Sequence, residues 1–170
     1  MCICMKKICK IITAVVGLGV CLSIKDLHFI RKNVTCSKGS KESQRYRGYY
    51  GLLLKWFQNV NAGKTLVQEI RKYNNEHLVI YGMGTLGELV YNNIKGEVRI
   101  DKIIDGSIKN KSQEYMIDDV KVIGKYGIAE HKDDFILVTP VMDYQDIKKE
   151  LNKYGCKNIV SLETLVYNSK

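Results

Sequence analysis

The stretch HLVIYGMGTLGELVYNNI, residues 77–94, decides how the rest of the chain is read. It opens with a short apolar run through Tyr81, rich in β-formers and bounded at once by Gly82, the pattern of a buried strand. Beyond Gly87, the residues Leu86, Leu89, Val90 and Ile94 fall at helical spacing. Gly82, Gly84 and Gly87 therefore join a strand to a helix, and each glycine has its own task there. Gly82 permits the sharp turn off the strand, Gly84 removes a Cβ where a diphosphate would approach, and Gly87 lets the helix press onto the sheet. The backbone from Gly82 through Met83, Gly84, Thr85 and Leu86 to Gly87 would present its amides, and the positive end of the helix, to an anion.

A strand–glycines–helix unit of this kind expects an acidic residue about 20 positions further on, at the end of a second strand. VRIDKIIDGS supplies Asp105, which would accept the two ribose hydroxyls of a nucleotide and repel a 2′-phosphate. Lys109 and Lys111 follow closely and would soften that repulsion, so NAD is only mildly favoured over NADP. Asp101 is set aside as mid-strand. The alternation then continues: strands at VKVIG (120–124), DFILVTP (134–140) and NIVSL (158–162), helical turns at GIAEHK and ETLVYN, and a helix at 144–155. This pattern predicts an α/β, Rossmann-like, three-layer domain with a five-stranded parallel sheet in the order 3-2-1-4-5. The ligand crevice would open between the glycine turn and TPVMDY (139–144), with Thr139 donating to a phosphate or ring and Pro140 ending the strand.

Three regions are expected: a basic arm at 1–45, a helical lead-in at 46–75 and the α/β domain at 76–170. Residues 1–75 hold 14 Lys and Arg against three acids, a balance of +11, whereas the remainder sums to −2. Anionic lipid suits such an arm at least as well as nucleic acid, and nucleic acid is not an expected partner. The run IITAVVGLGVCLSI (11–24) is too short to span a bilayer, which needs roughly 20 residues. A cytoplasmic protein with optional peripheral membrane contact through residues 8–41 is expected. Five of six cysteines lie before residue 37 without a Cys-x-x-Cys pair, so neither a metal nor a disulfide framework is expected. In the lead-in, Tyr49, Leu52, Leu53, Trp56 and Val60 form a helical stripe, and AGKT (62–65) reads as a helix–helix turn rather than a P-loop.

No acid–base constellation is evident. Tyr91–Lys95 and Tyr144–Lys148 share the Tyr-x-x-x-Lys spacing of short-chain dehydrogenases, but about one such pair is expected by chance in a chain this rich in both residues.

Residues 76–166, through VIYGMGTLGELVYNNI, IDKIIDGS, VKVIG, FILVTP, IKKELNKYG and NIVSLETLV, resemble the small Rossmann domains encoded among bacterial surface-polysaccharide and glycosyltransferase genes. They are similar to the N-terminal nucleotide-sugar-binding domain of sialic-acid-type sugar O-acyltransferases and to the domain preceding some polysaccharide epimerases and methyltransferases. The lead-in resembles the helical segment that precedes such domains. The resemblance implies that Gly82, Gly84, Gly87 and Asp105 contact NAD(P) or a UDP-sugar, with a glycosyltransferase or another polysaccharide enzyme as partner. The chain lacks the hexapeptide repeats of the acyltransferases, so acyl transfer is not implied. Gly106 and Ser107 also stand where those relatives often carry an Asn after the Asp. A nucleotide-binding module accessory to cell-surface polysaccharide synthesis is the expected function. The alternatives are a small NAD(P)-dependent oxidoreductase or epimerase-like subunit, and a non-binding structural domain.

Overall fold

The computed structural model describes residues 41–73 and 77–169. The apolar run at 11–24 and nearly all of the expected arm and its membrane contact lie outside the described residues. The chain divides into a unit Met1–Glu42 and a unit Ser43–Lys170. The lead-in and the α/β portion thus share the second unit.

Helix α1 (Lys41–Asn61) and helix α2 (Leu66–Arg71) are joined at Gly63, whose φ of +74° only glycine adopts freely. Thr65 caps α2: its side chain accepts from the Gln68 amide, and the Gln68 side chain accepts in return from the Thr65 amide. The AGKT stretch is therefore a helix–helix turn. Strand β1 (Leu78–Tyr81) then leads through the glycine turn to helix α3 (Thr85–Ile94) and strand β2 (Ile100–Ile104). Strands β3 (Tyr115–Ile117) and β4 (Val120–Ile123) come next, then a 3₁₀ segment (Lys125–His131), β5 (Phe135–Val138), α4 (Tyr144–Lys153), β6 (Ile159–Ser161) and α5 (Leu162–Asn168).

The fold is α/β, with one six-stranded sheet in the order β3-β4-β2-β1-β5-β6. Every pairing is parallel except β3 with β4. The sheet therefore has one strand more than the five-stranded expectation. The added β3 is an antiparallel edge, made by folding YMI back on VKVI through a two-residue loop, Asp118–Asp119. Asp118 takes the positive φ (+50°) such a loop requires, which Asp tolerates better than most residues. Its apolar run is too short and too exposed to stand out in the sequence as a strand.

Side-chain alternation along the central strands builds two cores. Leu78 and Ile80 of β1, with Ile103, Phe135 and Leu137, face the packing residues of α1, α2, α3 and α5. Val79, Tyr81, Ile136 and Val138 face the opposite side, where Ile128, Ile147 and Leu151 cover them. β1 is buried on both faces, as the middle strand of a parallel sheet must be. Burial of each such side chain contributes about 1.5–3 kcal/mol, so β1 anchors the fold.

Helix α1 turns a different stripe inward from the one its sequence spacing indicates. Leu52 and Trp56 are buried, but Leu53 and Val60 are exposed and Asn59 takes the remaining inward position. Asn59 is tolerated there because its amide donates to the Val166 carbonyl at 2.6 Å, closing the lead-in onto α5. Among the described residues, no helix is long and apolar enough to cross a membrane. Removing the amide in Asn59→Ala leaves a buried carbonyl unpaired, and urea denaturation is expected to show a loss of about 1–3 kcal/mol.

Candidate functional site

The glycine turn is tied to the strands on both sides of β1 at once. The Gly82 amide donates to the Ile104 carbonyl of β2 at 2.7 Å. From the other side, the Thr139 amide at the end of β5 donates to the Tyr81 carbonyl at 3.0 Å. The buried Thr139 hydroxyl lies 2.8 Å from the Gly82 carbonyl, to which it donates, and 3.2 Å from that of Tyr81. Its single proton therefore holds the turn, where the sequence reading has it donating to a ligand.

Each glycine answers to a different neighbour. Gly82 has φ +94°, and a Cβ there would also stand 2.7 Å from the Pro140 ring. A Cβ on Gly87 would overlap the Gly82 carbonyl oxygen and lie 3.0 Å from its carbon, so the helix presses on the turn itself. At Gly84 a Cβ would have nothing within 4 Å. Gly84 is thus bare toward open space, not toward protein.

That space is a cavity of about 370 Å³. Gly84, Thr85, Leu86, Gly87, Thr139 and Pro140 form one side of it. Helix α3 carries no side-chain cap at Gly84, which leaves its first-turn amides as donors beside the cavity. The opposite wall is α1, through Tyr46, Tyr49 and Leu53. α1 is held over the crevice by Arg45, which pairs with Asp143 at 2.7 Å, and by close approach of Gly48 to the Met142 methyl. The sequence places Tyr49 and Leu53 in a core stripe and does not mark Tyr46 at all. The only signal for their part here is that the lead-in precedes the domain directly.

Gly82, Met83 and Asp105 do not line the cavity. Asp105 instead braces the turn from β2: one carboxylate oxygen accepts the Met83 amide at 2.8 Å and the other the Ser107 amide at 2.7 Å. Partial burial works to raise its pKa. The hydrogen bonds from Ser107 and Met83 and the charge of Lys109 outweigh that, and hold it below the ordinary carboxylate value.

Four further tyrosines and histidines are held by neighbouring groups. Tyr144 donates to the Ile159 carbonyl at 3.1 Å, and Tyr91 reaches Asp118 at 3.0 Å, its pKa raised by burial and by that carboxylate. His77 pairs with Asp101 at the far end of the strands, and His131 with Asp134 at 2.7 Å. Among the described residues, no titratable group apart from the two tyrosines lines the cavity. Among them, too, no cluster of His, Cys, Asp and Glu is disposed to hold a metal ion.

A parallel-sheet domain with a glycine turn opening a helix at the centre of its strands is the class these features define. Within it, the chain belongs to the C2185-like family: the model described as C2185-like, N-terminal matches residues 74–159, from just before β1 to the start of β6. Helices α1 and α2 lie outside the matched residues. No curated protein matches the chain.

Two outcomes separate the structural from the open glycine. Gly87→Ala is expected to lower stability by about 1–3 kcal/mol through forced backbone displacement, and Gly84→Ala by less than about 1 kcal/mol, both read by thermal denaturation. Because the Asp105 pKa is depressed on folding, its stabilising contribution is present above the unfolded value near pH ~4 and is lost as pH falls through the folded value. The stability gap between wild type and Asp105→Asn should therefore be widest near neutral pH and narrow under acid.

Proposed function

We propose that this unit is a Rossmann-like nucleotide-binding module whose ligand places its diphosphate on the first-turn amides of α3. The carrying observation is the conjunction of an uncapped helix N-terminus, a glycine bare toward open space and a cavity between them and α1. The five parallel strands run β4-β2-β1-β5-β6, and the crevice lies beside β1 and β5, where the chain, having moved outward through β2 and β4, crosses back to the other side of β1, the usual ligand position in such sheets. Asp105 flanks the same turn with acceptor capacity for ribose hydroxyls.

A volume of about 370 Å³ is near the lower end for small-molecule sites. It suits the diphosphate and one adjoining ring of either NAD(P) or a nucleotide sugar, with the rest of the ligand outside the crevice. Tyr46 and Tyr49 offer ring faces for the base or the sugar. The role this reading carries is the one the sequence resemblance implies, accessory to bacterial surface-polysaccharide synthesis beside a glycosyltransferase or related enzyme. Nothing observed at Tyr144 favours the oxidoreductase reading.

Isothermal titration of the full chain with UDP, UDP-sugars, NAD and NADH tests this, alongside native mass spectrometry for co-purified nucleotide. Binding of at least one is expected, weakened about tenfold or more in Gly84→Ala at nearly unchanged melting temperature. No heat with any of them, and no co-purified nucleotide, would falsify the reading.

A further inference from the structure

Helix α1 has a second apolar stripe that its own unit leaves uncovered. Tyr46, Tyr50, Leu53, Phe57 and Val60 are 67, 70, 40, 64 and 46% exposed. Their spacing is four, three, four and three residues, the 3.5-residue repeat by which one helix packs along another. None of the five is charged, as the centre of a protein interface requires. Beside them runs an apolar groove of about 400 Å³, floored by Trp56 and walled by Leu89 and Asn93 of α3.

We propose that this stripe is a homodimer seam, occupied by α1 of a second copy of the chain. At roughly 200 Å² per aromatic side chain, the three rings leave about 400 Å² open. Leu53, Leu54, Val60 and Leu89, each at least two-fifths exposed, bring the face to about 700 Å². That is close to the roughly 800 Å² each partner of a stable interface contributes. Two heptads are short for a free-standing coiled coil, but α1 is already folded against its own sheet and incurs no helix-nucleation cost on pairing. A straight stripe meets its own image across a two-fold axis, the commonest symmetry of soluble oligomers. Tyr46 and Leu53 belong both to the seam and to the cavity wall, so the partner helix would narrow the mouth of the crevice. The seam stands independently of any nucleotide.

Sedimentation velocity of the full chain over the micromolar range decides the matter. Wild type is expected to be a dimer. Phe57→Glu and, as a second variant, Tyr50→Glu are expected to associate about 100-fold more weakly or worse, with far-UV circular dichroism unchanged. Tyr154→Glu, at an exposed tyrosine on α4's C-terminal side, should remain dimeric. A monomeric wild type overturns the proposal, as does a Phe57→Glu chain that dimerises as tightly as wild type. So does a monomeric chain that pellets with phosphatidylserine vesicles through Phe57, which would assign the face to lipid.

Discussion

Helix α3 meets the end of β1 across a gap that only a hydrogen on Gly87 can occupy. The Gly82 carbonyl fills the place a Cβ would take, and the Thr139 hydroxyl donates to that same carbonyl from β5. On the other flank, Ile104 accepts the Gly82 amide and Asp105 accepts that of Met83. Three neighbouring strands therefore converge on one turn of backbone. The position of the helix dipole and the openness at Gly84 stem from that convergence, whereas the Asp105 pKa is held down first by Ser107 and then by Met83 and Lys109.

The turn alone would be a shallow notch at the C-terminal ends of the central strands. Helix α1 makes it a cavity by lying across it, held by Leu52 and Trp56 in the core, by Asn59 bonded to Val166, and by Arg45 bonded to Asp143. Because the inward positions are 52, 56 and 59, the stripe 46, 50, 53, 57 and 60 is turned aside from the core. The helix is thereby divided between two tasks, roofing the crevice and displaying an uncovered face. The residues of that stripe are aromatic and aliphatic where a merely solvated face would be charged.

Much of the fold is legible along the chain. The glycines of residues 82–87, the β-rich run before them and the helical spacing after them each depend on near neighbours, and the alternation beyond them gives the α/β class of a mostly parallel sheet. The hairpin partner β3 is not, because Tyr115–Ile117 is three residues long, exposed, and defined only by its pairing with Val120–Ile123. The site is half legible. Gly84, Thr85, Leu86, Gly87, Thr139 and Pro140 do share one cavity, whereas Gly82, Met83 and Asp105 support it from outside. The α1 wall had no local signature.

The amino-acid order by itself determined which residues turn, which alternate and which repeat at helical period, because backbone conformation and amphipathic pattern are set within a few residues. Only the tertiary structure decided that Thr139 spends its proton on Gly82, 57 positions away, and that Asn59 closes on Val166, 107 positions away. It alone placed Tyr46 opposite Gly84. Such partners are chosen by where crossing elements bring them, and a buried donor or acceptor must take the partner it finds there.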